Sequence, residues 1–225
     1  MQLTYGDRKI FWGNEALVIG TLDNSGEEPI VTDLEIITGL VSVGSMEDQA
    51  DSTNYPADDV PDHGTKKGST LLTGEIVFLQ TDDNLKKDLL GHIEAPNGLG
   101  TIETGAYPNK IVQYIQRGKK KLATTGEIVD GYKIKVFPNL SATGEATDES
   151  ETESTDGVDA IQYTIPVQAT ATDGYAANGK KPAKQEFEVW AEQATQFETM
   201  MQAGLFVMFP DTEITVPTPP SGGGE

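Results

Sequence analysis

Strict alternation of apolar and polar residues between Ile161 and Ala171 is the pattern that most constrains the fold. The residues that share one face of this segment are apolar, namely Tyr163, Ile165, Val167 and Ala169. A period of two matches the pleat of a half-buried β-strand and not the turn of a helix. Strands are also predicted over residues 34–43, 71–80, 110–117, 132–137, 186–191 and 205–209. We therefore expect a mainly β fold, a β-sandwich or partial barrel over residues 1–209.

One short α-helix should flank this sheet. Residues 84–90 are predicted to be helical, because Asp82 or Asp83 can cap the start and Gly91 can end the helix. A second segment of helical composition, residues 194–203, contains Thr195 and Glu198 at the spacing of a capping box.

Both termini are predicted to be arms. The N-terminal arm covers about residues 1–33, where Gly13-Asn14 separates two short apolar segments and indicates a hairpin or a short arm strand. Residues 210–225 form a Pro- and Gly-rich tail of linker-like composition.

Two segments are predicted to be long loops. Residues 44–68 contain almost no apolar residues, and a loop of that length in a compact domain is usually functional or disordered. It is either a solvated flexible loop or an assembly loop that orders against a neighbouring copy. Residues 141–157 form an acidic, low-complexity segment that should be an exposed loop.

The charge balance excludes several classes of function. Sixteen basic residues against 36 acidic ones give a formal charge of −20, which disfavours tight binding of nucleic acid.

There is no cysteine, and no apolar run approaches the roughly 18 residues that cross a membrane. We expect a soluble protein made in a cytoplasm, without its own export signal.

The sequence contains no convincing catalytic or metal-binding motif. His63 and His92 are the only histidines, and neither has a nucleophile placed beside it. The acidic residues lack the spacing of a calcium loop, and no glycine-rich phosphate motif is present. We therefore expect no cofactor, no metal and no enzymatic activity.

One local cluster is basic, consisting of Arg117, Lys119, Lys120 and Lys121. It could contact a phosphate backbone, form a charged hairpin tip, or pair with an acidic loop of another copy.

A series of motifs along the chain resembles the major tail protein, or tail tube protein, of long non-contractile tailed bacteriophages. The motifs, in order, are Val41-Ser42-Val43, Tyr55-Pro56-Ala57-Asp58-Asp59, Gly74-Glu75-Ile76, Leu85 to Gly91, Asn97-Gly98, Tyr132 to Pro138 and Ile161 to Pro166. They are structural motifs, and their order over residues 34–191 carries the resemblance.

The resemblance implies a β-sandwich subunit in hexameric rings that stack into a tube and conduct double-stranded DNA during ejection. It also implies a place in the virion and contacts with tape measure, tail terminator and distal tail proteins. Candidate assembly residues are Tyr55, Asp58, Asp59, Lys66 and Lys67 together with the basic cluster, and candidate lumen residues are Glu35 and Glu75.

A rival hypothesis is a carbohydrate-binding or host-adhesion β-sandwich. Such a module should expose aromatic side chains in a loop cluster, and Tyr55, Tyr107 and Tyr175 are the candidates.

Overall fold

The computed structural model describes residues 5–148 and 160–214, and the mainly β prediction is confirmed. The strands are β1 (Arg8–Asp23), β2 (Ile30–Ile37), β3 (Leu40–Val43), β4 (Glu47–Asp48), β5 (Ser52–Ala57), β6 (Val60–Lys67), β7 (Leu71–Phe78), β8 (Ile93–Glu94), β9 (Thr101–Ile102), β10 (Lys110–Lys121), β11 (Ile128–Ala142), β12 (Thr147–Asp148), β13 (Tyr163–Thr170) and β14 (Gln185–Trp190). The helices are α1 (Asp83–Leu90) and α2 (Glu192–Ala203). Most of the acidic segment predicted over 141–157 lies outside the described residues.

Ten strands form one antiparallel sheet that curls into a half-barrel. Its main order is β2-β1-β10-β11-β13-β7-β3, and β4, β12 and β14 pair with strands within it. The curl brings β1 near β3, where the Asn14 Nδ2 amide donates to the Val41 carbonyl oxygen at 2.5 Å. The Tyr114 hydroxyl donates to Asn14 Oδ1. A side chain, and not a backbone ladder, therefore joins these two parts of the half-barrel.

The sheet carries a hydrophobic core on each face. On one face, α1 packs over Leu17, Phe78, Phe137, Leu140 and Ile165. On the other face, α2 and residues 205–209 pack over Ile111, Ile115, Ile134 and Val136. Strands β10 and β11 run between the two cores, so both of their faces are buried over much of their length.

Helix α1 confirms the predicted capped helix. The Asp82 carboxylate accepts from the Leu85 N–H at 2.7 Å, and Gly91 ends the helix with φ 66°. Leu85 and Leu89 are buried in the first core, as their spacing predicts. Helix α2 is confirmed as a helix, but its predicted capping box is wrong, because α2 begins at Glu192 and Thr195 and Glu198 lie inside it.

The strand predicted over residues 205–209 is wrong. Among the residues that the structure describes, this segment has no ladder partner, although Val207 and Met208 are buried. Side chains pair its backbone instead, and Gln113 makes two of these bonds, because its Nε2 donates to Phe206 O at 3.0 Å and its Oε1 accepts from Met208 N at 2.8 Å. Gln113 is fully buried, so it replaces the strand partner within the core.

Of the two structures predicted for the N-terminal segment, the hairpin is wrong, and the segment is a strand. Residues 8–23 form the single strand β1, paired with β2 and β10 inside the sheet, and so they are not a separate arm. The Gly13-Asn14 pair marks a register shift between Trp12 and Ala16, where Gly13 has φ 67°. A glycine with positive φ serves a β-bulge as well as a turn.

Candidate assembly surfaces

The segment predicted as a loop over residues 44–68 is instead a β-ribbon. Its proximal part pairs β4 with β7, through Glu47 opposite Thr73 and Asp48 opposite Leu72. Its distal part, the hairpin of β5 and β6, continues the same ladder beyond the sheet. The loop prediction failed because side chains on both sides of the hairpin are exposed, so its strands carry no apolar alternation.

The tip of this hairpin is a two-residue turn made by Asp58 and Asp59. Ala57 pairs with Val60, and the two aspartates have φ 52° and 60°. Positive φ at both central residues is the requirement of a type I′ turn, which Asp tolerates better than most residues. The turn therefore presents two carboxylates at the end of the ribbon. Tyr55, 54% exposed, lies just behind them.

The other two candidate residues of this segment, Lys66 and Lys67, lie at the base of the hairpin. Lys67 forms an ion pair with Asp48, whose carboxylate also accepts from the Ala50 N–H at 2.9 Å. The hydrogen bond from Lys67 is the main cause that holds the pKa of Asp48 below its usual value. These contacts tie the hairpin to the edge of the main sheet.

The basic cluster does not form a hairpin tip. Residues 117–121 belong to β10 and pair with residues 8–12 of β1. The turn follows them, where the Leu122 N–H donates to Glu127 O at 2.9 Å. The prediction failed because the partner that extends β10 comes from the start of the chain. Alternation along the strand then places Lys120 on the face opposite Arg117, Lys119 and Lys121.

Arg117, Lys119 and Lys121 share a face with residues of two neighbouring strands. Cross-strand pairing gives three rows on this surface, which we name the basic face: Arg8, Lys121 and Ile128; Ile10, Lys119 and Asp130; Trp12, Arg117 and Tyr132. Ile10 is 63% exposed, Ile128 62% and Trp12 42%. Sequence reasoning missed these three apolar residues, although Arg8, Ile10 and Trp12 stand at alternate positions.

A groove of about 680 Å³ lies at the inner end of the basic face, against α2. Arg117 forms an ion pair with Glu15 there, and the Tyr132 hydroxyl donates to Glu198 Oε1 at 2.5 Å. Burial and this hydrogen bond raise the pKa of Tyr132 to about 12. The inner end is therefore internally paired, whereas the outer two rows are exposed.

The opposite side of the same strands is packed by aromatic rings. Phe11 and Trp190 lie with their ring centroids 5.6 Å apart over Gly118. Lys120 lies 5.2 Å from the Trp190 ring centroid, a cation–π contact. Lys120 therefore supports the strand extension and is separated from the other cations of the cluster.

The two candidate lumen residues lie in different environments. Glu75 is exposed on β7, on the side opposite the first core. Glu35 is half-buried on β2 near α1, and its Oε1 is buried without a hydrogen-bond partner among the described residues. Burial, followed by contact with the Asp88 carboxyl, raises the pKa of Glu35 to about 7. Lys110 donates to Asp88 Oδ1 at 2.8 Å, and its positive charge partly counteracts this rise in the pKa of Glu35.

Replacing Glu35 with glutamine should stabilise the protein at pH 8. An unfolded glutamate ionises near pH 4.5, whereas Glu35 keeps its proton to about pH 7, so stability falls as pH rises through that window. Because Glu35 is partly exposed, we expect a gain on the order of 1 kcal/mol at pH 8 and none at pH 4. Urea unfolding at both pH values measures this. Glu75→Gln is the exposed control, and an equal gain in both variants would contradict the assignment.

Other side chains that could carry chemistry are held in structural contacts. His92 follows α1, and its ring nitrogens lie 2.9 Å from Thr101 Oγ1 and 2.8 Å from Glu145 Oε2. His63 is exposed on β6. Within residues 5–148 and 160–214, no group of three or more potential metal ligands comes together.

The tyrosines proposed for glycan binding do not form an exposed cluster. Tyr175 is fully buried and its hydroxyl donates to Met208 O at 2.7 Å, whereas Tyr107 is half-buried. Only Tyr55 of the three is exposed. The aromatic surface that the adhesin hypothesis needs is therefore missing at these positions.

Within the described residues, no helix is both long and apolar enough to cross a membrane.

The comparisons with known proteins agree with one another. A family model described as "Phage tail tube protein" matches residues 1–216. The tail tube proteins of Lactococcus phage p2 and Lactococcus phage SK1 are each 55% identical over 213 residues, covering 94% of this chain and 71% of theirs. The chain therefore belongs to the phage tail tube protein family, structural components of the virion and not enzymes.

Proposed function

We propose that this protein assembles as hexameric rings that stack into the tail tube and enclose an acidic conduit for the genome during ejection. The hairpin of β5 and β6 is the observation that carries the proposal. All residues of β5 are exposed, and an isolated two-stranded hairpin is at best marginally stable in water. A hairpin that leaves its own sheet needs a neighbouring molecule to cover it.

A ring and a stack of rings need two different contacts. A ring closes through a heterologous interface, in which two distinct surfaces of the subunit meet, and stacking requires a further surface. The hairpin and the basic face are two such surfaces. By family resemblance, the ends and the interior of the tube would contact tail terminator, distal tail and tape measure proteins.

The charge of the chain suits a conduit for double-stranded DNA. A wall without cations makes few phosphate contacts and so creates little binding energy that would retain DNA. We propose Glu75 as a lumen residue, because it is exposed on the sheet. Glu35 contacts Asp88 near α1, and we assign it to that contact.

Removing the distal hairpin should abolish tubes and preserve the fold. Asp51 and Gly68 are joined by a hydrogen bond of 2.9 Å, so a short Gly-Ser turn can replace residues 52–67 between them. Strand β4 and Met46, which packs against the first core, then stay in place, so the melting temperature should change by only a few degrees. Negative-stain electron microscopy at rising salt should show tubes for the unmodified chain and none for the shortened one.

Leu99→Ser, a change at an exposed apolar residue of a different turn, is the control and should assemble normally. Tubes of normal length from the shortened chain would show that the hairpin has no assembly role. If the unmodified chain stays monomeric at every salt concentration and instead binds a glycan array, the adhesin hypothesis replaces this proposal.

A further inference from the structure

We propose that the acidic tip of the hairpin in one copy binds the basic face of another copy. The inference rests on the proposed tube function and names one contact between its subunits. The tip is the Asp58-Asp59 turn with Tyr55 and Val60, and the basic face is the three-row surface of β1, β10 and β11.

Charge is the first argument. The basic face carries four cations and one carboxylate, Asp130, in a chain whose overall charge is −20. Among the described residues, ion pairs on this face involve only Arg117 and Lys119, the latter 3.8 Å from Asp130. Arg8 and Lys121 are left to attract carboxylates of another molecule. Such complementarity sets which surfaces meet and in which orientation.

Exposed apolar side chains are the second argument. Ile10, Trp12 and Ile128 are spread over the basic face, and Tyr55 and Val60 lie beside the two aspartates of the tip. Contact between the two surfaces would bury these residues in a core surrounded by ion pairs, which is the usual organisation of a protein interface. An isoleucine-rich strand face left uncovered would favour non-specific aggregation.

The shape of the hairpin is the third argument. A ribbon with six residues in β5 extends about 20 Å, which allows the tip to reach a neighbouring molecule. Pro56 and Pro61 lack the N–H groups needed for a full strand ladder with another sheet. The tip should therefore bind through its side chains and not by adding a strand.

Within the described residues of one chain, no hydrogen bond or ion pair joins the tip to the basic face. One copy donates the tip and another receives it, so the donor keeps an unused basic face and the receiver keeps an unused tip. This heterologous arrangement can repeat from copy to copy until it closes in a ring or continues along a stack.

The first test removes the charges of the tip and preserves its turn. The double variant D58N/D59G introduces Asn-Gly, the pair that type I′ turns prefer, so the hairpin should keep its shape. We expect an unchanged melting temperature and a rise of about tenfold or more in the concentration needed for tubes, measured by sedimentation and electron microscopy. Unchanged assembly by this variant would overturn the contact.

The second test reverses charges on the receiving surface. K119E/K121E should weaken assembly to a similar extent, whereas K180E/K181E, which makes the same change in net charge on an exposed turn, should have little effect. If both double variants assemble alike, the contact is overturned and the tube function stands. If the unmodified chain forms neither rings nor tubes, the proposed function itself fails.

The third test uses the absence of cysteine from the chain. Chains carrying V60C and I128C are mixed under assembly conditions and oxidised, and a mixed disulfide dimer is expected. V60C mixed with L99C is the control, because Leu99 is exposed on a different turn. Tubes that form without the V60C to I128C cross-link, or with equal cross-linking in the control, would overturn the pairing.

Discussion

Replacing Gln113 with leucine is expected to lower the free energy of unfolding by about 3 kcal/mol. The substitution removes the partner of the buried Met208 N–H and of the partly buried Phe206 carbonyl. Each buried group left without a hydrogen bond costs about 1–3 kcal/mol, and the added apolar side chain offsets part of that cost. Urea unfolding followed by circular dichroism measures the change.

Gln168→Leu, in strand β13 of the same sheet, is the matched control. Its amide donates to Ser141 Oγ at 3.3 Å and to no buried backbone group, so we expect a loss below about 1 kcal/mol. If the two leucine variants were equally stable, Gln113 would not be what holds residues 205–209 in the core.

Gly91→Ala should destabilise the protein by a similar amount, about 3 kcal/mol, for a different reason. Gly91 has φ 66°, a conformation that costs alanine about 1 kcal/mol. In addition, an added Cβ would lie 2.1 Å from Ala106 O, so the backbone after β9 would have to move, at a cost of about 2 kcal/mol. Thermal and urea unfolding should both show the loss.

Gly98→Ala separates the two costs. Gly98 also has φ 66°, but among the described residues no atom beyond its two chain neighbours lies within 4 Å of the position of an added Cβ. Only the conformational cost of about 1 kcal/mol should remain there. Equal losses at the two glycines would show that the contact with Ala106 does not contribute.

Elements with local signals were predictable from the sequence. The alternation between Ile161 and Ala171 reports burial on one face only, and β13 has that environment. Helix α1 has its capping aspartate and its terminal glycine within a few residues of its ends. In both cases, residues close in sequence determine the structure.

The errors occurred where the decisive partner is distant in sequence. The apolar composition of residues 205–209 indicates burial, but it cannot show that Gln113, almost a hundred positions earlier, would pair their backbone. The hairpin of β5 and β6 has no apolar alternation, because both of its sides are exposed. Burial patterns cannot reveal a strand that lies outside the core.

The candidate assembly surfaces were predictable in part. Asp58, Asp59 and the lysines of β10 were identified as charged residues for assembly, a role that remains a proposal. The apolar half of the basic face was not identified, because Ile10 and Ile128 become neighbours of Lys119 and Lys121 only through pairing of three strands. Predicting a surface of this kind requires the pairing register of the sheet.

The side-chain link that Asn14 makes between β1 and β3 affects how a tail would bend. Separating most neighbouring strands of the half-barrel breaks a ladder of backbone hydrogen bonds, whereas separating β1 from β3 breaks the side-chain bond from Asn14 to the Val41 carbonyl. A groove of about 320 Å³ already lies along this line. Bending stress on a tube of such subunits would therefore concentrate at this seam, which gives the subunit a compliant line within an otherwise stiff sheet.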